Sequence, residues 1–217
     1  VKVYNLREVD ELIFLDIAAT AEGRPPDFDL IDELADECFM PLAVGGGVAS
    51  VEDAQDLLAV GADKVCLSTG AVENPALVEA IAGRFGAQCV VVSVDAKEMA
   101  PGEYRVTSRC GTRVSDERPA AFAARMERSG AGEILIQSVS RDGTMAGYDI
   151  GLIRSVAEAV SIPVIASGGA GTYVDLAAAV IEGGASAVAA AAMWHFTEQT
   201  PREAKEYLAE RGVPVRL

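Results

Sequence analysis

Apolar positions along this chain gather into short continuous runs separated by longer amphipathic stretches. The runs lie at 10–17 (DELIFLDI), 39–45 (FMPLAVG), 63–69 (DKVCLST), 89–95 (CVVVSVD), 133–139 (EILIQSV), 162–167 (IPVIAS) and 187–192 (AVAAAA). They are apolar almost throughout rather than alternating. That pattern marks strands covered on both faces, hence a parallel sheet. Helical periodicity fills the gaps at 28–37, 51–60, 75–84, 118–129, 150–160, 173–182 and 201–211. Ser50 and Thr172 each stand three residues before an acid, Asp53 and Asp175, as in a capping box. Asn74-Pro75 places a capping side chain before a proline at the first helical position. The polar stretch 101–113 carries a short hairpin (YRVTSR, then CGTR) inserted between a strand and its helix.

Seven strands each followed by a helix would suit a doubly wound sheet, but an internal repeat favours a barrel. Pro41-Leu-Ala-Val-Gly-Gly-Gly, Ser50-Val-Glu-Asp53 and Gly61-Ala-Asp-Lys-Val match Pro163-Val-Ile-Ala-Ser-Gly-Gly, Thr172-Tyr-Val-Asp175 and Gly184-Ala-Ser-Ala-Val. The two copies are about 122 residues apart, one half-barrel of four βα units from the next. The expected fold is α/β, a (β/α)8 barrel forming a single domain over 1–217, with its first βα unit largely absent. Such barrels take about 250 residues, so roughly 30 are expected to be missing in front of this sequence. Residues 1–9 then read as the end of that unit's helix.

Composition narrows the function classes. The 217 residues carry 18 Lys and Arg against 33 Asp and Glu, a formal charge of −15. Duplex nucleic acid and anionic membrane both need a basic surface, so neither is an expected partner. A small phosphorylated ligand needs only local donors and stays allowed. No apolar run could span a bilayer. Cys38, Cys66, Cys89 and Cys110 have no CxxC spacing. Free thiols in a reducing cytoplasm are expected, with no metal site.

In a barrel the chemistry sits at the C-terminal ends of the strands. This sequence places Asp16, Gly45-Gly46-Gly47, Ser68-Thr69-Gly70, Asp95, Ser138 to Thr144, Ser167-Gly168-Gly169 and Ala191-Ala192 there. Each glycine-rich turn leads into a helix whose first N–H groups are unpaired, an arrangement suited to phosphate. Two such turns on opposite half-barrels suggest two phosphates on one elongated ligand. A tight chain reversal is the alternative for each. Asp95 ends an apolar run, where an acid is costly to bury unless paired or functional. It is read as functional, or else as the ion-pair partner of Lys97. Asp142 in RDGT serves the site or forms only a local turn. His195 is read as structural, with Trp194 and Phe196 in the core. No zinc pattern, nucleophile elbow, Walker loop or Rossmann fingerprint occurs.

The motifs DELIFLDI, PLAVGGGVASVEDA, GADKV, NPALV, FGAQCVVVSVDAK, GAGEIL, RDGTMAGYD, IPVIASGGAG and HFTEQTPREAKEYLAERGVPVR resemble the cyclase subunit of imidazole glycerol phosphate synthase over nearly the whole chain. The resemblance implies a (β/α)8 lyase of histidine biosynthesis that uses ammonia from a glutamine amidotransferase partner. It closes the imidazole ring of a bisphosphorylated ribulosyl aminoimidazole substrate, with no cofactor. By resemblance Asp95 is the general acid/base. Gly46, Gly47, Gly168 and Gly169 hold phosphates, and Asp16, Thr69 and Asp142 line the site. At the strand starts Glu11, Lys64 and Glu133 match a charged ring through which ammonia enters; surface charge is the alternative. The family's second catalytic aspartate, its companion lysine and the ring arginine fall in the segment expected to be missing, although Val1-Lys2 could be a remnant.

Several positions depart from that pattern. Ser68 stands where Asn is usual, Gln137 for Thr, Ser140 for Asp, Ala192 for Ser and Cys110 for a loop serine. A sister branch, which passes ammonia to a sugar-modifying partner to make an amidine in surface-polysaccharide synthesis, resembles PPDFDLIDELADECFMPLA, RDGTMAGYD and GGASAVAA more closely. The C-terminal helix resembles the histidine branch. Three readings follow: the cyclase, the amidination paralogue, and a non-catalytic barrel that binds a glutaminase.

Overall fold

The computed structural model describes residues 1–216. Among these described residues are nine strands: β1 Leu12–Leu15, β2 Leu42–Gly45, β3 Lys64–Leu67, β4 Val90–Ala100, β5 Glu103–Ser108, β6 Arg113–Val114, β7 Glu133–Ser138, β8 Val164–Ser167 and β9 Ala187–Val188. The helices are α1 Lys2–Leu6, α2 Ala19–Glu22, α3 Phe28–Asp36, α4 Val51–Ala59, α5 Thr69–Glu73, α6 Pro75–Phe85, α7 Pro119–Arg128, α8 Ile150–Ala157, α9 Tyr173–Ile181, α10 Ala192–Phe196 and α11 Pro201–Ala209. Seven strands pair in parallel in the order β1-β2-β3-β4-β7-β8-β9, a curled wall that fits a (β/α)8 barrel. Among the described residues no helix is long and apolar enough to cross a membrane.

The alternation of side chains along each strand separates two apolar layers. Val44, Val65, Leu67, Val90, Val92, Val94, Ile134 and Ile136 point outward into the main core with helix residues such as Ile31, Leu57, Ile81, Phe122, Met126, Ile153 and Leu176. Their neighbours point inward. Cys66, Val91, Leu135 and Ile165, with Ile13 and Ala189 against them, form a small inner layer across the strands. Both faces are apolar, so the strands read as unbroken runs.

The capping boxes at Ser50/Asp53 and Thr172/Asp175 form as expected. Asn74 precedes Pro75 at the start of α6, but its side chain makes no cap bond. The hairpin is larger than its sequence signal. The β4 strand runs to Ala100 and pairs antiparallel with β5, which pairs in turn with the two residues of β6. Nothing in the apolar run 89–95 marks this, because Asp95, Lys97 and Glu98 break the run before the extension ends at Ala100. The last run ends early: β9 covers only two residues, and Ala192 begins α10. Alanine favours helix once no strand neighbour claims its backbone. Thr69, expected on a strand, likewise opens α5. Trp194 packs against the core as expected, whereas Phe196 is 78% exposed rather than buried. His195 Nε2 lies 2.8 Å from the Tyr4 hydroxyl, tying α10 to α1, which suits its structural reading.

Candidate functional site

The inward face of β4 is Val91, Ser93 and Asp95, each two residues from the last. Asp95 therefore stands above the inner apolar layer, at the C-terminal side of the sheet. Ser93 Oγ donates to Asp95 Oδ1 and Ser68 Oγ donates to Asp95 Oδ2, both at 2.8 Å. Asp95 is partly buried at the cavity wall, and this desolvation raises its pKa above its ordinary value. The two serine bonds oppose that rise, and the charge of Asp142 adds to it. Among the described residues Lys97 makes no ion pair, so the ion-pair reading of Asp95 is set aside. Ser93 went unrecognised in the sequence, although its spacing from Asp95 puts both on one face of a strand.

A cavity of about 110 Å³ brings Asp16, Gly46, Gly47, Ser68, Thr69, Ser93, Asp95, Cys66 and Cys110 together. Its two carboxylates differ. Asp16 Oδ2 is 2.7 Å from Arg24 Nη1, and its Oδ1 accepts from Ala18 N and Ala19 N. The Arg24 bond, above all, holds Asp16 below the usual carboxylate range despite some desolvation. One acid is held ionised and the other is pushed toward its protonated form, the division of labour that acid/base chemistry uses. Arg24 carried no sequence signal, since it lies in an irregular segment and reaches Asp16 only through the fold.

Gly46 and Gly168 occupy equivalent positions of the repeat, and the structure treats them alike. Both have positive φ, +101° and +84°. A Cβ on Gly46 would collide with the Asp16 backbone at the end of β1. On Gly168 it would come 2.7 Å from Ser138 O at the end of β7. Each turn thus lies against the end of the preceding strand, which a side chain would prevent. Gly168 and Gly169 are not part of the lining of the Asp95 cavity; they follow β8, two strands along the sheet from β4. Gly147 N bonds Gly169 O at 2.8 Å, bringing the loop that carries Asp142 onto this turn. Asp142 itself is exposed.

The hairpin closes over the first half of the site. Arg109 N donates to Thr69 Oγ1 at 2.9 Å, and the Arg109 guanidinium binds Glu73 through two bonds of 2.8 Å. Arg113 reaches the same carboxylate at 3.0 Å, and Cys110 Sγ donates to Ile17 O at 3.3 Å. Arg109 and Cys110 both hold left-handed φ, 50° and 56°, a strained pair that these contacts over-determine.

At the opposite, N-terminal side of the strands, Lys64 Nζ bonds Glu11 Oε2 at 2.8 Å and Glu133 Oε1 at 2.7 Å. The three candidate ring residues are therefore joined. Burial alone would lower the Lys64 pKa, but the two carboxylates outweigh it and raise it.

The chain matches the family model for histidine biosynthesis proteins over residues 1–200, and it belongs to that family of (β/α)8 barrel enzymes.

Proposed function

We propose that the chain is an ammonia-dependent cyclase, a lyase that closes the imidazole ring of a bisphosphorylated ribulosyl aminoimidazole substrate. A glutamine amidotransferase partner would supply the ammonia, and the work would take place in the cytoplasm. The observation that carries this reading is Asp95, desolvated and bonded by Ser68 and Ser93 at the head of an inner apolar layer. In ring closure the substrate's carbonyl oxygen departs as water, the incoming amine loses protons as its new C–N bonds form, and the C–N bond to the aminoimidazole carboxamide ribotide breaks, that ribotide leaving as a protonated amine. A carboxyl with a raised pKa can give the first protons and take the second. Gly46, Gly47 and Thr69 would hold one phosphate. Gly168 and Gly169 would hold the other, with Asp16 and Asp142 lining the space between.

The far end of the barrel supports the ammonia part of the reading. Lys64 joins Glu11 and Glu133 in one charged cluster, which we read as the ring that admits ammonia, and Ile13, Cys66, Val91 and Leu135 line the sheet between it and Asp95. An apolar layer passes neutral ammonia far more readily than ammonium, because a bare charge there has no partner. The test is turnover of the ribulosyl bisphosphate with free ammonium by the wild type and by Asp95→Asn. Turnover lost only in the folded variant supports the assignment. Equal turnover by both would sink it.

One observation favours the amidination branch as a second reading. Gln137 pairs in register with Asp95, where the cyclase pattern has Thr, so the polar wall beside the acid is altered. A chain that yields no cyclase product yet delivers glutamine-derived ammonia to an acceptor sugar would establish that reading.

A further inference from the structure

Outside the Asp95 cavity, one chain of bonds runs from the hairpin to the second glycine turn. Tyr104 on β5 donates its hydroxyl hydrogen to Asp149 Oδ2 at 2.7 Å. Asp149 is 7% exposed, and its Oδ1 accepts from Leu152 N at 3.1 Å, capping α8. Arg141 Nε stands 3.7 Å from Asp149 Oδ2, while its Nη1 donates to Gly147 O at 3.1 Å and to Tyr148 O at 3.3 Å. Gly147 N then donates to Gly169 O at 2.8 Å. The packing at this junction is close: a Cβ on Gly169 would lie 3.1 Å from Arg141 Cβ.

Asp142 to Ala146, the outer part of this loop, is exposed. Its position therefore depends on its base, where Arg141 folds back onto the carbonyls of Gly147 and Tyr148. Arg141 is shared between those carbonyls and the Asp149 carboxylate. Tyr104 settles the sharing by satisfying Asp149 Oδ2. A buried carboxylate deprived of that donor draws the nearest cation closer. Arg141 would then leave the carbonyls, and Gly147 would be freed from its register with Gly169.

Resting on the two-phosphate reading, we propose that Tyr104 and Arg141 are positioning residues for the phosphate of a sugar phosphate held at the Gly168–Gly169 turn, acting through Asp149 and Gly147. Among the described residues this chain of bonds through Asp149 and Arg141 does not reach the first turn, which the hairpin approaches instead through Arg109 on Thr69 and Cys110 on Ile17. The close neighbours of that turn are Asp16 and Arg24, and it serves as an internal control.

The test is a titration of inorganic phosphate into isotope-labelled protein, followed by NMR at the amides of Gly46 and Gly47 and, separately, of Gly168 and Gly169. In the wild type both pairs shift. In Tyr104→Phe and in Arg141→Lys the dissociation constant at Gly168–Gly169 rises about 3- to 10-fold, the net worth of one ordinary hydrogen bond, while that at Gly46–Gly47 stays put. Equal weakening at both turns, or none at the second, overturns the proposal. A purely structural role produces the first of these, since loosening the fold weakens both sites. If Tyr104→Phe does not fold, Arg141→Lys carries the comparison, its side chain being 43% exposed in the native protein. A wild type without shifts at Gly168–Gly169 overturns the two-phosphate reading itself, an outcome distinguishable because it needs no variant.

Discussion

Ser68 Oγ donates to Asp95 Oδ2 at 2.8 Å, across the boundary between β3 and β4. The bond favours the charged carboxylate and so works against the desolvation that raises the Asp95 pKa. Removing it in Ser68→Ala should push that pKa higher still. The limb of the pH–rate profile that reports Asp95 should move to higher pH, with maximal turnover little changed. A profile that does not move would show that Asp95 is not the titrating group.

Asp95→Asn keeps the size of the side chain but cannot transfer a proton. Turnover with free ammonia should fall by about 10²- to 10⁴-fold. Stability should move in a definite direction. A folded pKa above the unfolded value means the folded state binds the proton more readily, so Asp95 costs stability as pH rises through that window. The variant should therefore melt no lower than the wild type at neutral pH. The difference should shrink in acid, where both states of the wild type are protonated. Thermal melts across the acid and neutral range check this.

Asp16 should behave in the opposite sense. Arg24 depresses its folded pKa, so the pair contributes stability above the unfolded carboxylate pKa and loses it as pH falls through the folded one. Arg24→Gln should lower the melting temperature at neutral pH, and the gap from the wild type should close on acidification. A gap constant with pH would mean that Arg24 acts only by packing.

Glycine positions offer a graded comparison. At Gly143, φ is +72° and a Cβ would meet nothing within 4 Å, so Gly143→Ala should cost only backbone strain, about 1 kcal/mol. Gly168→Ala adds a collision with Ser138, and Gly46→Ala one with Asp16. Both should cost clearly more, and both should abolish the rise in melting temperature that a bisphosphorylated sugar gives the wild type. Equal melting of all three variants would refute the close approach of turn to strand end.

Lys64→Met leaves Glu11 and Glu133 facing each other without their cation. It should cost about 1–3 kcal/mol, and less when Glu133→Gln is already present, because one unpaired charge is then gone. Denaturant melts of the two single variants and the double variant measure the coupling.

Much of the architecture was legible because it rests on local rules. Val90 to Val94 reads as a buried strand because both its faces meet apolar neighbours, and the Ser50/Asp53 box starts α4 through bonds confined to four residues. The glycines of the two turns declared themselves by their repeated place after Pro41 and Pro163. Glu11, Lys64 and Glu133 were expected together only from the family resemblance, and they meet because the alternate strands β1, β3 and β7 turn their starts inward to one layer. The rest needed distance in space. Arg24 meets Asp16, Tyr104 meets Asp149 and Arg109 meets Glu73 only once the sheet has curled and the hairpin has folded back, across separations of up to 45 residues. The acidity of Asp95 was beyond the sequence for the same reason. A carboxyl's pKa depends on how much water its surroundings exclude and on which hydroxyls reach it. Both are properties of packing that strand-by-strand reading cannot supply.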